Sequence, residues 1–187
     1  LIVKSVRGNL NTRLAKLDSS TIFSGRQQGK QGNGNNDNDE KQTNEKVHYD
    51  ALVLATSGIK RMGWEDRISQ ILSPNIFPYG VSQGSLGIES RTSDTFITSL
   101  IQPLICHESL LRCSAERAFL RAMQGGCQVP LGVHSVITTS SNNTTCLSLT
   151  GVVFNLSGTK YIHDNLKEVV QSENDAAALG TQVATLI

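Results

Sequence analysis

The spacing of apolar residues in the amino-terminal third of the chain predicts a strand, a helix and a second strand. Residues 1–6 (LIVKSV) and 49–55 (YDALVLA) are apolar runs of strand length, and Leu10, Leu14 and Leu17 mark one face of a helix between them. Strands of this kind, joined through a helix, are typical of parallel sheets covered on both faces. We therefore expect this part of the chain to be an α/β domain with a partial parallel or mixed sheet and flanking helices.

The apolar pattern of the remaining chain predicts a small α+β domain at the carboxy-terminal end. The most regular helical pattern covers 107–123 and stops before Gly125-Gly126, as helices commonly do. The other predicted elements are an amphipathic stretch at 64–72, a short strand at 86–90, a helix at 94–104, strands at 131–138 and 146–155, and a final helix from 174 to 187.

One long stretch has no apolar residue. Residues 24–46 contain no member of the AVILMFWYC set and are rich in Gly, Asn, Gln and Asp. Such a stretch cannot bury enough surface to offset the entropy of ordering it. We expect residues 19–47 to be a disordered insertion in a surface loop, which a fold tolerates because long loops cost little in closure entropy.

Composition and charge exclude several function classes for this sequence of 187 residues. The 17 Lys and Arg against 16 Asp and Glu leave a net charge of +1, which argues against nucleic-acid binding by bulk charge. No apolar run approaches the roughly 18 to 20 residues that a membrane span requires. The spacing of the cysteines at 106, 113, 127 and 146 matches neither a metal-binding motif nor a dense disulfide framework. We therefore expect a reducing compartment and no metal.

Three arginines are candidates for binding an anion. Arg7 ends the first predicted strand and Arg13 lies in the first turns of the helix, where free N–H groups favour negative charge. Arg61 follows the second predicted strand, at the carboxyl end where open α/β sheets bind ligands. Guanidinium groups suit bidentate contacts with carboxylates or phosphates. Solvated surface arginines remain the alternative.

A loop and a cysteine are weaker candidates. Gln83 and Gly84 lie in a small polar loop that is suited to close backbone approach to a ligand, although a plain hinge is the alternative. Cys127 follows the predicted end of the helix at 107–123. That end of a helix dipole does not lower a thiol pKa, so Cys127 is not marked as a turnover nucleophile, but it is compatible with a single attachment event.

Several separated blocks together resemble the porphobilinogen deaminase (hydroxymethylbilane synthase) family. They are VRGNLNTRL at 6–14, YDALVLATSGIKRMGW at 49–64, SQGSLGIESR at 82–91 and LLRCSAERAFLRAMQGGCQVPLGVH at 110–134. The resemblance is close over about 1–18 and 49–135 and looser beyond. It implies a transferase of heme biosynthesis that joins four porphobilinogen molecules head to tail, with loss of ammonia, into a linear oligopyrrole.

The resemblance also implies particular site residues. The family's GGC motif matches Cys127 as the thioether attachment point of a dipyrromethane cofactor. The matching carboxylate-binding arginines are Arg7, Arg13 and Arg61, and Gln83 and Gly84 lie in the loop that contacts the substrate. Porphobilinogen and the growing oligopyrrole are the implied partners, with neither nucleic acid nor membrane, and a cytoplasmic monomer is implied.

By resemblance, the chain is a fragment that lacks an amino-terminal region. Residues 1–79 would be part of a second, periplasmic-binding-protein-like domain, 80–104 a return segment to the missing first domain, and 105–187 the α+β domain that carries the cysteine. The family's catalytic aspartate would lie upstream, so we expect the isolated chain to be inactive. The alternative is a non-catalytic carboxylate-binding α/β module.

Overall fold

The computed structural model describes residues 2–24, 48–124 and 129–187. They divide into two compact units, Leu1–Ser69 and Gln70–Ile187, which we call the first and the second unit. Of the helices in the described residues, none is long and apolar enough to cross a membrane.

The first unit is built around two short helices. They are α1 (Leu10–Ser24) and α2 (Thr56–Arg61), and a 3-10 turn follows at Glu65–Arg67. Leu14 of α1 and Ile59 of α2 are the buried apolar side chains among the described residues of this unit. An ion pair of 2.6 Å between Arg67 and Asp18 ties the 3-10 turn to α1.

The helix predicted after the first strand is confirmed, but the two strands that should flank it are not formed. Residues 2–7 and 51–55 pair with no strand among the described residues, so the predicted parallel sheet is not confirmed. The side chains of Ile2 and Val3 are each 85 % exposed and that of Val53 is 66 % exposed. Apolar runs favour strands only where a neighbouring strand supplies hydrogen bonds, and the part of the chain that the structure describes provides none for these two segments.

Two further expectations for this part of the chain need correction. α1 continues to Ser24, so the first six residues of the predicted insertion at 19–47 are helical, whereas 25–47 lie outside the described residues. The amphipathic stretch at 64–72 forms only the 3-10 turn, because Pro74 and the polar residues before it do not sustain a longer helix.

The second unit contains most of the regular structure. Its elements are α3 (Thr95–Ile101) with a 3-10 turn at Gln102–Leu104, α4 (His107–Ala122), β1 (Leu131–Thr139), β2 (Thr145–Phe154), β3 (Tyr161–Val169) and α5 (Glu173–Leu186). The strands form one antiparallel sheet in the order β1-β2-β3. The coarse assignment to α/β structure is therefore confirmed, with an antiparallel sheet.

The core of the second unit lies between the sheet and the helices α4 and α5. Its members are buried apolar side chains from all three layers: Leu111, Ala115, Phe119, Val133, Leu147, Leu149, Val170, Ala176, Leu179 and Val183. Two glycines allow this close packing. A Cβ at Gly151 would lie 2.5 Å from the Phe119 ring, and a Cβ at Gly180 would lie 2.0 Å from the carbonyl oxygen of Ala115.

Most elements predicted for the second unit are confirmed. The helices at 94–104, 107–123 and 174–187 and the strands at 131–138 and 146–155 all form, within a few residues of their expected ends. The predicted strand at 86–90 is wrong, because this segment pairs with no other strand in the described chain. β3 was missed, because charged residues alternate with the apolar ones on the face it turns to the helices.

A single residue extends the sheet beyond β1. The N–H of Tyr79 donates to the carbonyl oxygen of Val133 at 3.0 Å, and the N–H of Val133 donates back to Tyr79 at 2.8 Å. A Cβ at Gly132 would approach Pro78 to 2.9 Å, so the chain before the 82–85 loop lies directly against β1.

Candidate functional site

The start of α1 is shaped by a tight turn that carries two of the three candidate arginines. Gly8 has φ +124°, in the region that favours glycine. The Asn9 side chain accepts from the Thr12 N–H at 2.9 Å and caps the helix. The Nε of Arg13 then donates to the Gly8 carbonyl at 2.8 Å, which fixes the guanidinium beside the turn.

Arg7 and Arg13 place two positive charges at the start of α1. Among the described residues, neither arginine forms an ion pair. Arg7 is exposed and Arg13 is partly exposed. Lys16 adds a third cation to this end of α1, because its ammonium donates to the Arg7 carbonyl at 3.0 Å. This charge, beside the first turn of a 15-residue helix, suits a ligand with carboxylates.

Arg61 lies on the neighbouring helix of the same unit. α2 packs beside the start of α1, since a Cβ at Gly58 would be 3.7 Å from the Leu10 side chain. Arg61 is exposed in the last turn of α2. The first unit thus brings α1 and α2 together, and all three predicted arginines belong to these helices or the turn before them.

The predicted loop at Gln83 and Gly84 lies in the second unit and is tightly turned. The Gln83 N–H donates to the Gly80 carbonyl at 2.9 Å, and the Gln83 side-chain oxygen accepts from the Gly80 N–H at 3.3 Å. Ser82 and Gly84 both have left-handed backbone, with φ of 57° and 95°. A serine rarely adopts this conformation, so other contacts must hold the loop.

A buried carboxylate on α4 supports this loop. Glu116 is only 2 % exposed, and its Oε2 accepts from the backbone N–H of Ser82 at 2.7 Å. Its Oε1 accepts from the hydroxyls of Tyr79, at 3.1 Å, and of Ser135. Burial of an acid is costly unless hydrogen bonds replace its water, and these three donors do so.

Arg112 completes the polar network one helical turn before Glu116. Its Nε donates to the Ser135 hydroxyl at 2.9 Å, and one terminal nitrogen donates to the Tyr79 hydroxyl at 3.2 Å. Burial works against the charged form of Arg112, but the bond to Tyr79 and the nearby acids Glu116 and Glu108 outweigh it and raise the pKa. Arg112 and Glu116 therefore share the hydroxyl groups of Tyr79 and Ser135 as hydrogen-bond partners.

A cavity of about 220 Å³ opens between the loop and α4. Loop residues 82–85 form one side, and Ser109, Arg112, Cys113 and Glu116 of α4 form the other. Within the described chain, the buried Ser82 hydroxyl has no hydrogen-bond partner. The loop that the sequence selected is thus the wall of a small polar cavity.

Several expected features fall elsewhere. Cys127 and the Gly125-Gly126 pair before it lie outside the described residues. Among 2–24, 48–124 and 129–187, no group of three His, Cys, Asp or Glu side chains could hold a metal ion. Sequence reasoning missed Glu116 and Arg112, although two opposite charges four residues apart beside the apolar stripe of α4 gave an indication of a buried pair.

Comparison with known proteins decides the family. Residues 1–99 match a family model described as porphobilinogen deaminase, dipyromethane cofactor binding domain, and residues 110–187 match the model of its C-terminal domain. The chain belongs to the porphobilinogen deaminase family. The resemblance drawn from the sequence blocks is thereby confirmed.

Curated members of the family are similar along nearly the whole chain. The porphobilinogen deaminase of Dictyostelium discoideum is 39 % identical over 87 % of this chain, and that of Nostoc sp. is 38 % identical over 100 %. The protein of Schizosaccharomyces pombe is 36 % identical over 96 %. These matches cover 42 %, 47 % and 46 % of the relatives, so the chain spans less than half the length of each.

Proposed function

We propose that this chain carries cofactor-binding and substrate-binding parts of a hydroxymethylbilane synthase. This enzyme joins four porphobilinogen molecules head to tail and releases ammonia at each step. The observation that carries the proposal is the match of 1–99 and 110–187 to two domains of one family. The arginines at the start of α1, which form no ion pair within the described part of the chain, support it, because every pyrrole ring of the substrate brings two carboxylates.

The arginines act as carboxylate receptors in this proposal. Arg13 is held by its Nε bond to Gly8, so its two terminal nitrogens keep a fixed direction and can grip one carboxylate through parallel hydrogen bonds. Arg7 and Arg61 would take further carboxylates of the same chain of rings. Several arginines in one unit fit a ligand with several carboxylates, as a dipyrromethane cofactor has.

Cys127 is the proposed attachment point of that cofactor, which supplies a primer for chain growth. The thiol adds once and is not regenerated in each turnover, so access matters more than a lowered pKa.

The other half of the proposal concerns architecture: 1–79, 80–104 and 105–187 would belong to three parts of the whole protein. The extended apolar segments at 2–7 and 51–55 would then pair in a parallel sheet of a periplasmic-binding-protein-like domain. We further propose a cytoplasmic monomer.

Mass spectrometry of the natural gene product that contains these residues tests the attachment. We expect an excess mass of two pyrrole units, lost in Cys127→Ser together with turnover of porphobilinogen. Cys106→Ser is the matched control, because Cys106 is an exposed thiol whose pKa is lowered by hydrogen bonds from Ser109. If attachment followed thiol reactivity alone, this control would lose the mass instead.

Turnover separates the proposal from its alternative. Release of one ammonia per porphobilinogen consumed supports the synthase, whereas tight binding of porphobilinogen without ammonia supports a non-catalytic carboxylate-binding module. An active protein of unmodified mass would remove Cys127 from the proposal. We expect the isolated 187-residue chain to release no ammonia, since it is proposed to lack the family's catalytic aspartate.

A further inference from the structure

The buried acid on α4 lines the polar cavity, but its hydrogen bonds are made to the protein itself. Glu116 is 2 % exposed, and both of its oxygens are occupied by donors from within the second unit. Its two oxygens take three donors from this unit, and a carboxylate would repel the carboxylates of the substrate. Its contacts point to a role in holding backbone.

The donors around Glu116 are arranged so that one oxygen is reserved for the loop. Oε1 takes the hydroxyl protons of Tyr79 and Ser135. The Tyr79 oxygen in turn accepts from the Ser135 N–H at 2.9 Å and from Arg112 at 3.2 Å, so its hydrogen-bonding capacity is filled. Oε2 is therefore left to the Ser82 N–H at 2.7 Å.

The loop needs such a support. Ser82 has φ 57°, a conformation in which a side chain crowds its own backbone, and its hydroxyl gains no hydrogen bond within the described chain. A charge-assisted bond to the Ser82 N–H is stronger than a neutral one and offsets this cost. The bond fixes the residue directly before Gln83 and Gly84.

We propose that Glu116 is a positioning residue that holds the left-handed turn at Ser82 and so presents Gln83 and Gly84 to the substrate. The inference deepens the proposed function and rests on it. Glu116 acts through the Ser82 backbone and touches no substrate. Arg112 donates to the hydroxyls of Tyr79 and Ser135, which in turn donate to Glu116.

Glu116→Gln in the natural gene product tests the proposal with little change of shape. The amide cannot accept from both the Ser82 N–H and the two hydroxyls, so one donor loses its partner. Loss of a charge-assisted bond corresponds to a change of about ten- to a hundredfold, and we expect this in the KM for porphobilinogen, with kcat changed less than about threefold. Glu168→Gln, at an exposed acid of β3 outside this network, is the control and should leave both unchanged.

Hydrogen exchange supplies a readout that does not depend on turnover. We expect faster exchange in Glu116→Gln only in peptides that cover residues 80–85, with α4 and β1 unchanged. Unchanged exchange at 80–85 would overturn the proposal. A lower kcat at constant KM, together with faster exchange throughout α4 and β1, would also overturn it, because that result indicates general destabilisation. If wild-type protein consumes no porphobilinogen but shows the local exchange pattern, the proposed function fails and the hold of Glu116 on the loop stands.

Discussion

The two units use arginine in opposite ways. In the first unit, Arg7 and Arg13 lie at a helix start with no acid partner among the described residues, and few apolar side chains are buried. In the second unit, Arg112 is partly buried and shares two hydroxyls with the enclosed Glu116, beside a large apolar core. A cation left unneutralised is available to a ligand, whereas a cation enclosed with an acid builds the fold.

Truncation of a buried apolar side chain should give the largest difference between the two units, measured as a loss of unfolding free energy. Phe119 is fully buried over Gly151, so we expect Phe119→Ala to lower the free energy of unfolding by about 3 to 5 kcal/mol. Leu14→Ala, in the smaller cluster of the first unit, should cost about 2 kcal/mol, at the low end of the range for leucine truncations. Denaturant unfolding followed by circular dichroism measures both, with Val136→Ala at an exposed strand position as the control. Equal losses from Phe119→Ala and Leu14→Ala would contradict the comparison.

Loss of a first-unit arginine should change binding instead of folding. A charge-assisted hydrogen bond contributes about 1.5 to 3 kcal/mol, so Arg13→Gln should slow porphobilinogen consumption by about ten- to a hundredfold. The melting temperature should stay within the error of the measurement. Arg117→Gln, at an exposed arginine of α4, is the matched control for charge and should leave the rate unchanged. A lower melting temperature with normal turnover would assign Arg13 to the fold.

A substitution in the turn at Ser82 should have a smaller effect, and it should raise the unfolding free energy instead of lowering it. Ser82→Gly keeps the N–H that Glu116 binds, removes the buried hydroxyl that lacks a partner in the described chain, and relieves the left-handed backbone. We expect a gain of about 1 kcal/mol in unfolding free energy. Ser85→Gly, at a position without positive φ, should destabilise slightly, because glycine adds freedom to the unfolded chain and removes the hydroxyl that contacts the Cys113 sulfur at 3.0 Å. Destabilisation by Ser82→Gly would show that the turn is not strained.

The smallest expected effect is at the start of α5. Asp175 accepts from the N–H groups of Gln171 and Ser172 at 3.0 and 2.9 Å, and these bonds lower its pKa below the ordinary value of 3.8. A lowered pKa in the folded state stabilises the protein above the ordinary pKa, and this stabilisation is lost as pH falls through the lowered one. Asp175→Asn should therefore lower the melting temperature at pH 7, with the difference disappearing towards pH 3. A constant difference across this range would contradict the assignment.

Most elements of the second unit could be predicted from the sequence, because the apolar residues that set the pattern are the ones that pack in its core. The stripe of Leu111, Ala115 and Phe119 is the face of α4 that meets the sheet, so the helix follows from local pattern. β3 could not be found this way, because the charged side chains of Asp164 and Glu168 face the same side as its apolar ones. Its pairing with β2 is a tertiary effect.

The first unit shows where such reasoning fails. The apolar runs at 1–6 and 49–55 have the composition of buried strands, but composition does not supply a neighbouring strand to pair with. The positions of Arg7 and Arg13 in a turn and a helix start follow from the sequence, whereas their role as carboxylate receptors stays a prediction. Glu116 was missed because its burial depends on Tyr79 and Ser135, which are 37 and 19 residues away along the chain.

The hydrogen bonds between Tyr79 and Val133 also bear on how these molecules behave when crowded. An open sheet edge is a template on which a strand from another molecule can pair, and repeated pairing produces aggregates. Tyr79 occupies the outward-facing groups of Val133 near the start of β1, and Pro78 beside it has no N–H to offer. Two residues of an irregular segment thus keep this end of the sheet edge closed to strands from neighbouring copies.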